Sequence, residues 1–321
     1  MRIGPYGWAF PDSAYWKTRK SYRFKPRYFE GYSTPAYQLI IDQSVVTNQK
    51  VSKIVYDAIS EQNYNQGLDI RNASLTLPGR KNTVILRNGR LWIADTGSMR
   101  FSSGLDSVEI SSAAERALVV DGFLDLGAGD DRLEATGGEE GIHIYEGRLY
   151  AGDGNDMLTG INLAGASLDQ AGIRLGDGAL LDCGPGDDVV TGLSEGGGYG
   201  YSLWSGSILQ TGPGDDLITG GKVLFVSDAS IMTGDGDDTI DVAAFLTEHI
   251  RNTIDMGSGT DRLRVAPGTY QVSSDPSGGY MFDLELRGRG WTGYLDARSV
   301  EMVSADGLSW VPLQEGEFTI Y

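Results

Sequence analysis

The chain has 321 residues, a formal net charge of −18, 46 glycines and 16 tyrosines, and it is 40% hydrophobic. This composition argues against a helix bundle and favours many short strands joined by tight turns. The acidic balance disfavours nucleic acid as a partner, because such a surface repels phosphates. No run approaches the ~18 apolar residues of a membrane span.

The charge is distributed unevenly along the chain. Residues 1–65 carry nine Lys and Arg against five Asp and Glu, whereas the remainder carries 17 against 39, a balance of about −22. Compacting that many carboxylates is unfavourable unless cations neutralise some of them. A solvated acidic surface is the simpler alternative, but it would not place acids at one fixed position of a repeat. The single cysteine, Cys183, permits no intramolecular disulfide.

The first segment, residues 1–35, is an aromatic and basic arm. Nine aromatic residues lie between Tyr6 and Phe29, and six Lys and Arg lie between Lys17 and Arg27. We expect the arm to dock on a protein partner or an identical subunit, with packing on its own first coil as the alternative. The segment lacks the apolar core of a Sec-type signal peptide, so export would need another route.

Residues 36–65 are predicted to cap the fold. Val51, Ile54, Val55 and Ile59 have helical spacing, which predicts a short helix over residues 51–61. An amphipathic helix of this kind would cover the open end of a stack of strands.

From residue 66 the pattern changes to strands separated by tight turns. The strings "LDIRNASLTLPG" and "VILRNGRLWIADTG" resemble the later repeats without their aspartates, and we interpret them as degenerate first coils. Six clear copies follow, one per coil of 22 to 32 residues. They are "LDLGAGDDRLEA" (124–135), "LYAGDGNDMLTG" (149–160), "LDCGPGDDVVTG" (181–192), "LQTGPGDDLITG" (209–220), "IMTGDGDDTIDV" (231–242) and "IDMGSGTDRLRV" (254–265).

Each position of the copy has a physical role. The residue three before the first glycine is always Leu or Ile, the residue one before it is small or apolar, and both are predicted to face inward at period two. Cys183 holds the second of these positions, so we expect it to be buried and unreactive. The glycines allow tight backbone and close approach of carbonyl oxygens.

The acids of the copy point to a cation. Stacking would bring each second aspartate within ~4.8 Å of its equivalent one coil along, and like charges at that spacing favour a bound hard cation. Ca²⁺ accepts six to eight oxygens from carboxylates and carbonyls. A purely local turn role is the alternative, although such a role would accept Asn or Ser in every copy. Six turns leave five intervals, so we expect about five ions at most.

The string G-x-G-x-D-x-U-x resembles the haemolysin-type calcium-binding repeat of RTX proteins, in a variant seen in cyanobacterial secreted proteins. That resemblance implies a parallel β-roll or β-helix with Ca²⁺ between stacked turns. The leading glycine of the family motif is absent here, and the copies are farther apart than nine residues. The implied ligand-bearing residues are Gly127, Gly129, Asp130, Asp131, Gly152, Gly154, Asp156, Gly184, Gly186, Asp187, Asp188, Gly212, Gly214, Asp215, Asp216, Gly234, Gly236, Asp237, Asp238, Gly257, Gly259 and Asp261.

The residues after 265 resemble the closing segment of such secreted proteins. The last residues, "EGEFTIY", are similar to the type I secretion signals of RTX proteins. The resemblance therefore implies secretion, and the sequence fits two settings equally: an extracellular or cell-surface protein and a virion component, the basic arm favouring an assembly.

An enzyme is the alternative function. Parallel β-helix lyases, epimerases and hydrolases act on polysaccharides in an outward groove, and a groove here would use Arg148, Arg174, Tyr199, Tyr201 and Trp204. The two histidines, His143 and His249, are more typical of surface or loop positions than of such a site. No nucleophile elbow, phosphate loop or Cys/His metal pattern occurs.

The sequence predicts an all-β, right-handed parallel β-solenoid at residues 66–265, preceded by the arm and cap and followed by a β-rich cap at 266–321. The expected function is that of a non-catalytic, calcium-binding structural or adhesive protein of an extracellular surface or assembly. Its expected partner is a protein or an identical subunit bound through the arm, with a surface glycan as a second candidate.

Overall fold

The computed structural model describes most of the chain after residue 66 and short strands before it. The described residues are 22–24, 38–41, 45–46, 51–57, 67–164, 170–247, 252–274, 280–283, 285–286, 291–292 and 296–321.

The fold is a parallel β-solenoid of about eight turns, and the described part of the chain is all-β. Up to residue 264 the chain visits three sheets, here called A, B and C, in strict rotation, and each strand pairs in parallel with its equivalent one coil along. The predicted fold class is therefore confirmed. Three parallel sheets facing inward give a single apolar core that runs the length of the stack.

Sheet A contains β1 (Tyr22–Phe24), β4 (Val51–Asp57), β7 (Lys81–Arg87), β10 (Ser107–Ser112), β13 (Arg132–Gly137), β16 (Met157–Asn162), β19 (Val189–Ser194), β22 (Leu217–Gly220), β25 (Thr239–Val242), β28 (Arg262–Arg264), β34 (Met302–Ser304) and β35 (Val311–Pro312). Sheet B contains β2 (Gln38–Ile41), β5 (Gly67–Ile70), β8 (Arg90–Ile93), β11 (Leu118–Val120), β14 (Ile142–Ile144), β17 (Ala171–Leu175), β20 (Tyr199–Leu203), β23 (Lys222–Phe225) and β26 (Phe245–Thr247).

Sheet C contains β3 (Val45–Val46), β6 (Ser74–Leu77), β9 (Ser98–Phe101), β12 (Phe123–Asp125), β15 (Arg148–Tyr150), β18 (Leu180–Asp182), β21 (Ile208–Gln210), β24 (Ser230–Met232), β27 (Thr253–Asp255) and β33 (Asp296–Arg298). A separate antiparallel sheet is formed by β29 (Gly268–Ser274), β30 (Tyr280–Asp283) and β36 (Gly316–Ile320), and a short hairpin by β31 (Glu285–Leu286) and β32 (Trp291–Thr292).

The inward positions predicted from the repeat are buried. The Leu or Ile three residues before each first glycine has no exposed surface, and neither does Cys183. A fully buried aliphatic side chain of this size stabilises a fold by about 1.5–3 kcal/mol. The buried Leu and Ile of this column in sheet C are Leu124, Leu149, Leu181, Leu209, Ile231 and Ile254.

The predicted helix is wrong over the residues that the structure describes. Residues Val51–Asp57 form β4, which pairs in parallel with β7 over its whole length. The run is rich in β-branched residues, which pack well on a pleated sheet, and seven ladder pairs outweigh a weak helical periodicity. The remainder of the predicted helix, residues 58–61, lies outside the described residues.

After β28 the chain leaves the solenoid and then returns to it. Strands β29, β30 and β36 pair antiparallel with one another, whereas β33 continues sheet C and β34 continues sheet A. The predicted arm lies outside the described residues except for β1, which pairs in parallel with β4.

Candidate metal centre

All six Gly-x-Gly turns lie at the corner between sheet C and sheet A. Gly184 and Gly186 have φ angles of 94° and 145°, in the left-handed region that favours glycine. A Cβ atom on either residue would overlap the main-chain oxygen of Gly152 or Gly154, one coil earlier. Glycine therefore allows consecutive turns to stack in close contact.

The second aspartate of each turn belongs to a buried column, here called the inner ladder. The main-chain N–H of Asp131 donates to Oδ1 of Asp156 at 2.7 Å, and the N–H of Asp156 donates to Oδ1 of Asp188 at 2.7 Å. The same bond recurs in the later coils at 2.8 to 2.9 Å. The aspartates of the inner ladder are Asp106, Asp131, Asp156, Asp188, Asp216, Asp238 and Asp261.

The second carboxylate oxygen of these aspartates, unlike Oδ1, accepts no hydrogen bond. In all seven, Oδ2 is buried and has no hydrogen-bond partner. A carboxylate in such a place loses hydration without compensation, which is unfavourable for the charged form. Each Oδ2 of the column is therefore more stable with a bound proton or a neighbouring cation than as a free charge.

The titration of the inner ladder reflects this environment. Burial raises the pKa of Asp131 and Asp188 to about 8, and neighbouring carboxylates add to the effect, while one N–H bond opposes it. Burial likewise raises the pKa of Asp156, Asp216 and Asp261 to about 7. For the remaining two members burial again raises the pKa: Asp106 and Asp238.

Two hydroxyls lie beside the later part of the inner ladder. Thr211 and Thr233 donate to main-chain carbonyls one coil along, at 3.1 and 3.0 Å. Each hydroxyl has a single proton, so it donates either to that carbonyl or to the neighbouring carboxyl, Asp216 or Asp238, whose pKa such a bond would lower against the larger effect of burial.

Asn82 begins the inner ladder and shows what its second side-chain atom faces. Its main-chain N–H and its amide nitrogen both donate to Oδ1 of Asp106, the latter at 2.9 Å. The same nitrogen donates to the carbonyl oxygens of Gly79 at 2.9 Å and Leu77 at 3.1 Å. In this coil the Asn82 amide nitrogen, a donor, lies against the carbonyl oxygens of Leu77 and Gly79, which are acceptors. In the later coils the equivalent atom is a carboxylate Oδ2, which is itself an acceptor. It can lie against carbonyl oxygens favourably only when it carries a proton or when a cation lies between them.

The first acid of each turn forms a second, exposed column, here called the outer ladder. The N–H of Asn155 donates to Oδ1 of Asp130 at 3.0 Å, and the N–H of Asp187 donates to Oδ1 of Asn155 at 3.0 Å. These bonds run back to the preceding coil, opposite in direction to those of the inner ladder. Because only Oδ1 accepts a hydrogen bond in this ladder, Asn155 can replace an aspartate and keep that bond.

Side chains alone do not complete a metal site. Among the described residues, no group of three or more His, Cys, Asp or Glu side chains converges on a point that could hold a metal ion. A cation in the turns would therefore take most of its ligands from main-chain carbonyls, which Ca²⁺ accepts and Mg²⁺ accepts poorly. The unpartnered Oδ2 atoms and glycine-lined corners fit such an ion.

The structure brings the predicted aspartates together and adds members that the repeat did not reveal. Asp106 was missed because Ser102 replaces the first glycine, although Gly104 and Asp106 keep the G-x-D spacing. Glu301 closes the inner ladder by accepting the N–H of Asp261 at 2.9 Å. It follows the C-terminal excursion, so no repeat signal precedes it.

The expectation that His143 is a surface or loop residue is wrong. His143 lies on β14 and is buried, with Nδ1 3.3 Å from Oε2 of Glu140. Arg116 and Arg174 form ion pairs with the same carboxylate. Burial alone would raise the pKa of Glu140, but His143 and Arg116 outweigh it and the pKa lies below its usual value. The cluster ties three coils together. His249 lies outside the described residues.

The predicted polysaccharide groove is not assembled by the structure. Tyr201 is fully buried in the core, where its hydroxyl lies 2.8 Å from the carbonyl oxygen of Val190 and 2.7 Å from that of Thr219. Arg148 lies in sheet C, whereas Arg174 lies in sheet B with its guanidinium 4.8 Å from the ring centre of Trp204. The predicted residues thus lie on different faces.

Comparison with known protein families, curated proteins and solved structures finds no match for this chain. The described residues contain no helix long and apolar enough to cross a membrane.

Proposed function

We propose that this protein is a non-catalytic, calcium-binding structural solenoid. The observation that carries the proposal is the inner ladder, in which seven buried Oδ2 atoms have no partner. A column of buried charges is unfavourable unless each charge is neutralised or paired. Calcium ions bound between successive turns would neutralise the column and cross-link the coils.

The chemistry of the turns favours Ca²⁺ over Mg²⁺. Mg²⁺ demands near-octahedral geometry and retains several waters, whereas Ca²⁺ adapts to six to eight oxygens that include carbonyls. The glycine corners bring main-chain carbonyl oxygens close to the next coil, and the carboxylates supply the charge. The resemblance to RTX repeats supports the same ion. By this proposal the ligand set consists of turn carbonyls and the inner-ladder carboxylates.

The setting that suits such a protein is extracellular. Weak sites of the extracellular type bind Ca²⁺ at millimolar concentrations, and binding to the folded state alone stabilises it by mass action. We propose a role as a structural or adhesive component of a cell surface or virion, exported by a type I route. The basic aromatic arm would dock the protein on its partner, a protein or an identical subunit.

A calorimetric titration with Ca²⁺ tests the proposal. The seven aspartates of the inner ladder leave six intervals, so about six ions per chain are expected near pH 7.5. Proton release should accompany binding, because the ion replaces protons on carboxyls of raised pKa. Binding of less than one ion per chain would refute the proposal.

A further inference from the structure

The residue directly before the first glycine of each copy lies beside the inner ladder, and this place is here called the lining position. The hydroxyl of Thr211 lies within hydrogen-bond reach of the Asp216 carboxyl, and that of Thr233 lies within reach of the Asp238 carboxyl. The side chain at the lining position therefore decides whether the protein itself can offer a donor to the neighbouring carboxylate. The lining residues, all buried, are Leu126, Ala151, Cys183, Thr211, Thr233 and Met256.

The lining positions fall into two classes. Leucine, alanine and methionine carry no donor, and a thiol is a weak one, whereas each threonine carries a hydroxyl with one proton. In this structure the Thr211 hydroxyl donates to the carbonyl oxygen of Thr233 at 3.1 Å, and the Thr233 hydroxyl donates to that of Met256 at 3.0 Å. The Oδ2 atoms of Asp216 and Asp238 then have no partner.

The Thr211 hydroxyl can turn from the carbonyl to the carboxyl at small cost. A hydroxyl proton rotates to suit its surroundings. The carbonyl oxygen of Thr233 also accepts the N–H of Gly212 at 2.8 Å, so it keeps a donor when the hydroxyl leaves. A hydrogen bond to a carboxylate is roughly twice as strong as one between neutral groups. A free charge on Asp216 would therefore draw the hydroxyl to itself.

We infer that Thr211 and Thr233 keep their coils closed when calcium is absent, whereas the copies at 124–135, 149–160 and 181–192 open without the ion. The inference rests on the proposed calcium sites. With an ion bound, the cation neutralises the carboxylate and the hydroxyl stays on its carbonyl. Without the ion, the hydroxyl donates to the carboxylate instead. The three earlier copies have no such replacement, and an unpaired buried carboxylate favours opening. Calcium therefore controls the opening of one part of the solenoid.

Hydrogen exchange of the full chain, followed by mass spectrometry at pH about 8, tests the inference. In Ca²⁺, peptides from all the copies should exchange slowly. In chelator, peptides from 124–192 should exchange roughly tenfold faster than those from 209–242, because one buried donor separates the two classes. Fraying at an end does not produce this difference, since both segments lie between β10 and β28.

Removal of the two hydroxyls tests their role directly. The double variant Thr211→Val and Thr233→Val keeps the shape of both side chains and removes both donors. In chelator the exchange of 209–242 should become roughly tenfold faster, with a much smaller change in Ca²⁺. Thr219→Val is the matched control, because Thr219 is half-buried on β22 at an outward position. It should leave the ratio of the rates in chelator and in Ca²⁺ unchanged.

Addition of a hydroxyl tests the inference in the opposite direction. Cys183→Thr places a donor beside Asp188, so the exchange of 181–192 in chelator should become roughly tenfold slower. Equal exchange of 124–192 and 209–242 in chelator would overturn the inference, as would an unchanged ratio in the double valine variant or no slowing in Cys183→Thr. In each case protection by Ca²⁺ would leave the calcium proposal standing. Exchange that Ca²⁺ alters in no copy would instead refute the calcium proposal, and the inference with it.

Discussion

The main-chain N–H of Asp156 donates to Oδ1 of Asp188 at 2.7 Å, while Oδ2 of Asp188 is buried without a partner. One carboxylate thus has two separate tasks. Oδ1 accepts the hydrogen bond that joins adjacent coils, whereas Oδ2 is available to a proton or a cation. Substitutions that alter one oxygen and spare the other can separate the two tasks.

Asp188→Asn should weaken the calcium dependence, because the ions on either side of Asp188 lose a ligand, without losing the coil-to-coil bond. Asparagine retains the Oδ1 acceptor and offers an N–H₂ donor, as Asn82 does at the start of the inner ladder. In chelator near pH 8 the variant should melt at or above the wild-type temperature, because it removes a buried charge. Asp188→Ala should instead cost about 1–3 kcal/mol, because the N–H of Asp156 loses its acceptor.

Asp187→Asn on the outer ladder is the matched control for Asp188→Asn. Asn155 already fills the equivalent place one coil earlier and accepts the N–H of Asp187 through Oδ1. The control should keep the calcium response of the wild type. An equal loss of response in both variants would contradict the division between inner and outer ladders.

The stability of the calcium-free protein should fall as pH rises. Burial raises the pKa of inner-ladder carboxyls to about 7 or about 8, whereas an unfolded aspartate titrates near 3.9. Between these values the folded chain binds more protons than the unfolded chain, so stability is lost as pH rises from about 4 to about 8. Thermal melts in chelator at pH about 5 and about 8 would measure this. A flat profile would show that the carboxyls titrate normally.

Cys183 provides a reporter for opening of the metal corner. The thiol is fully buried, and burial together with the nearby Asp188 and Asp216 carboxylates raises its pKa. Maleimide labelling should therefore be slow in Ca²⁺ and many-fold faster in chelator, because labelling requires local opening. Equal rates in the two buffers would argue that the ion does not stabilise this corner.

Gly186→Ala should destabilise the stack much more than a comparable exposed substitution. Gly186 has φ of 145°, and its Cβ would overlap the oxygen of Gly154. The expected cost is at least about 2 kcal/mol. Gly178 has φ of 65° and nothing near a Cβ, so Gly178→Ala should cost only about 1 kcal/mol. Urea denaturation in Ca²⁺ compares the two, and equal costs would contradict the close stacking.

The sequence predicted the solenoid because one copy of the motif occurs in each coil. The period-two pattern identified the buried column that includes Leu181 and Cys183. Hydrophobic spacing failed for Val51–Asp57, where it predicted a helix, because pairing with β7 decides the conformation there. The sequence also misplaced Tyr201, because the Gly-rich stretch GGGYGYS (196–202) predicts a loop, whereas the Tyr201 hydroxyl lies in the core against the carbonyls of Val190 and Thr219.

The candidate site was predicted in outline. The spacing of the aspartates indicated a column formed by the second aspartate of each copy, but the burial of that column and the exposure of the first acids depend on the conformation of the corner. Glu301 depends on a return of the chain that no local pattern encodes. His143 lies in a cluster with Glu140 of its own coil and with Arg174, its register partner one coil along in sheet B, and no repeated motif marks that register in the sequence.

The most direct test of the calcium account is a thermal melt of the purified protein near pH 7.5, in saturating Ca²⁺ and in chelator, with Mg²⁺ as control. The account predicts a rise of well over 10 °C with Ca²⁺ and little with Mg²⁺, because several ions bind only the folded state. Superimposable curves in Ca²⁺ and chelator would contradict it, and the inner ladder would then be a column of neutral carboxylic acids.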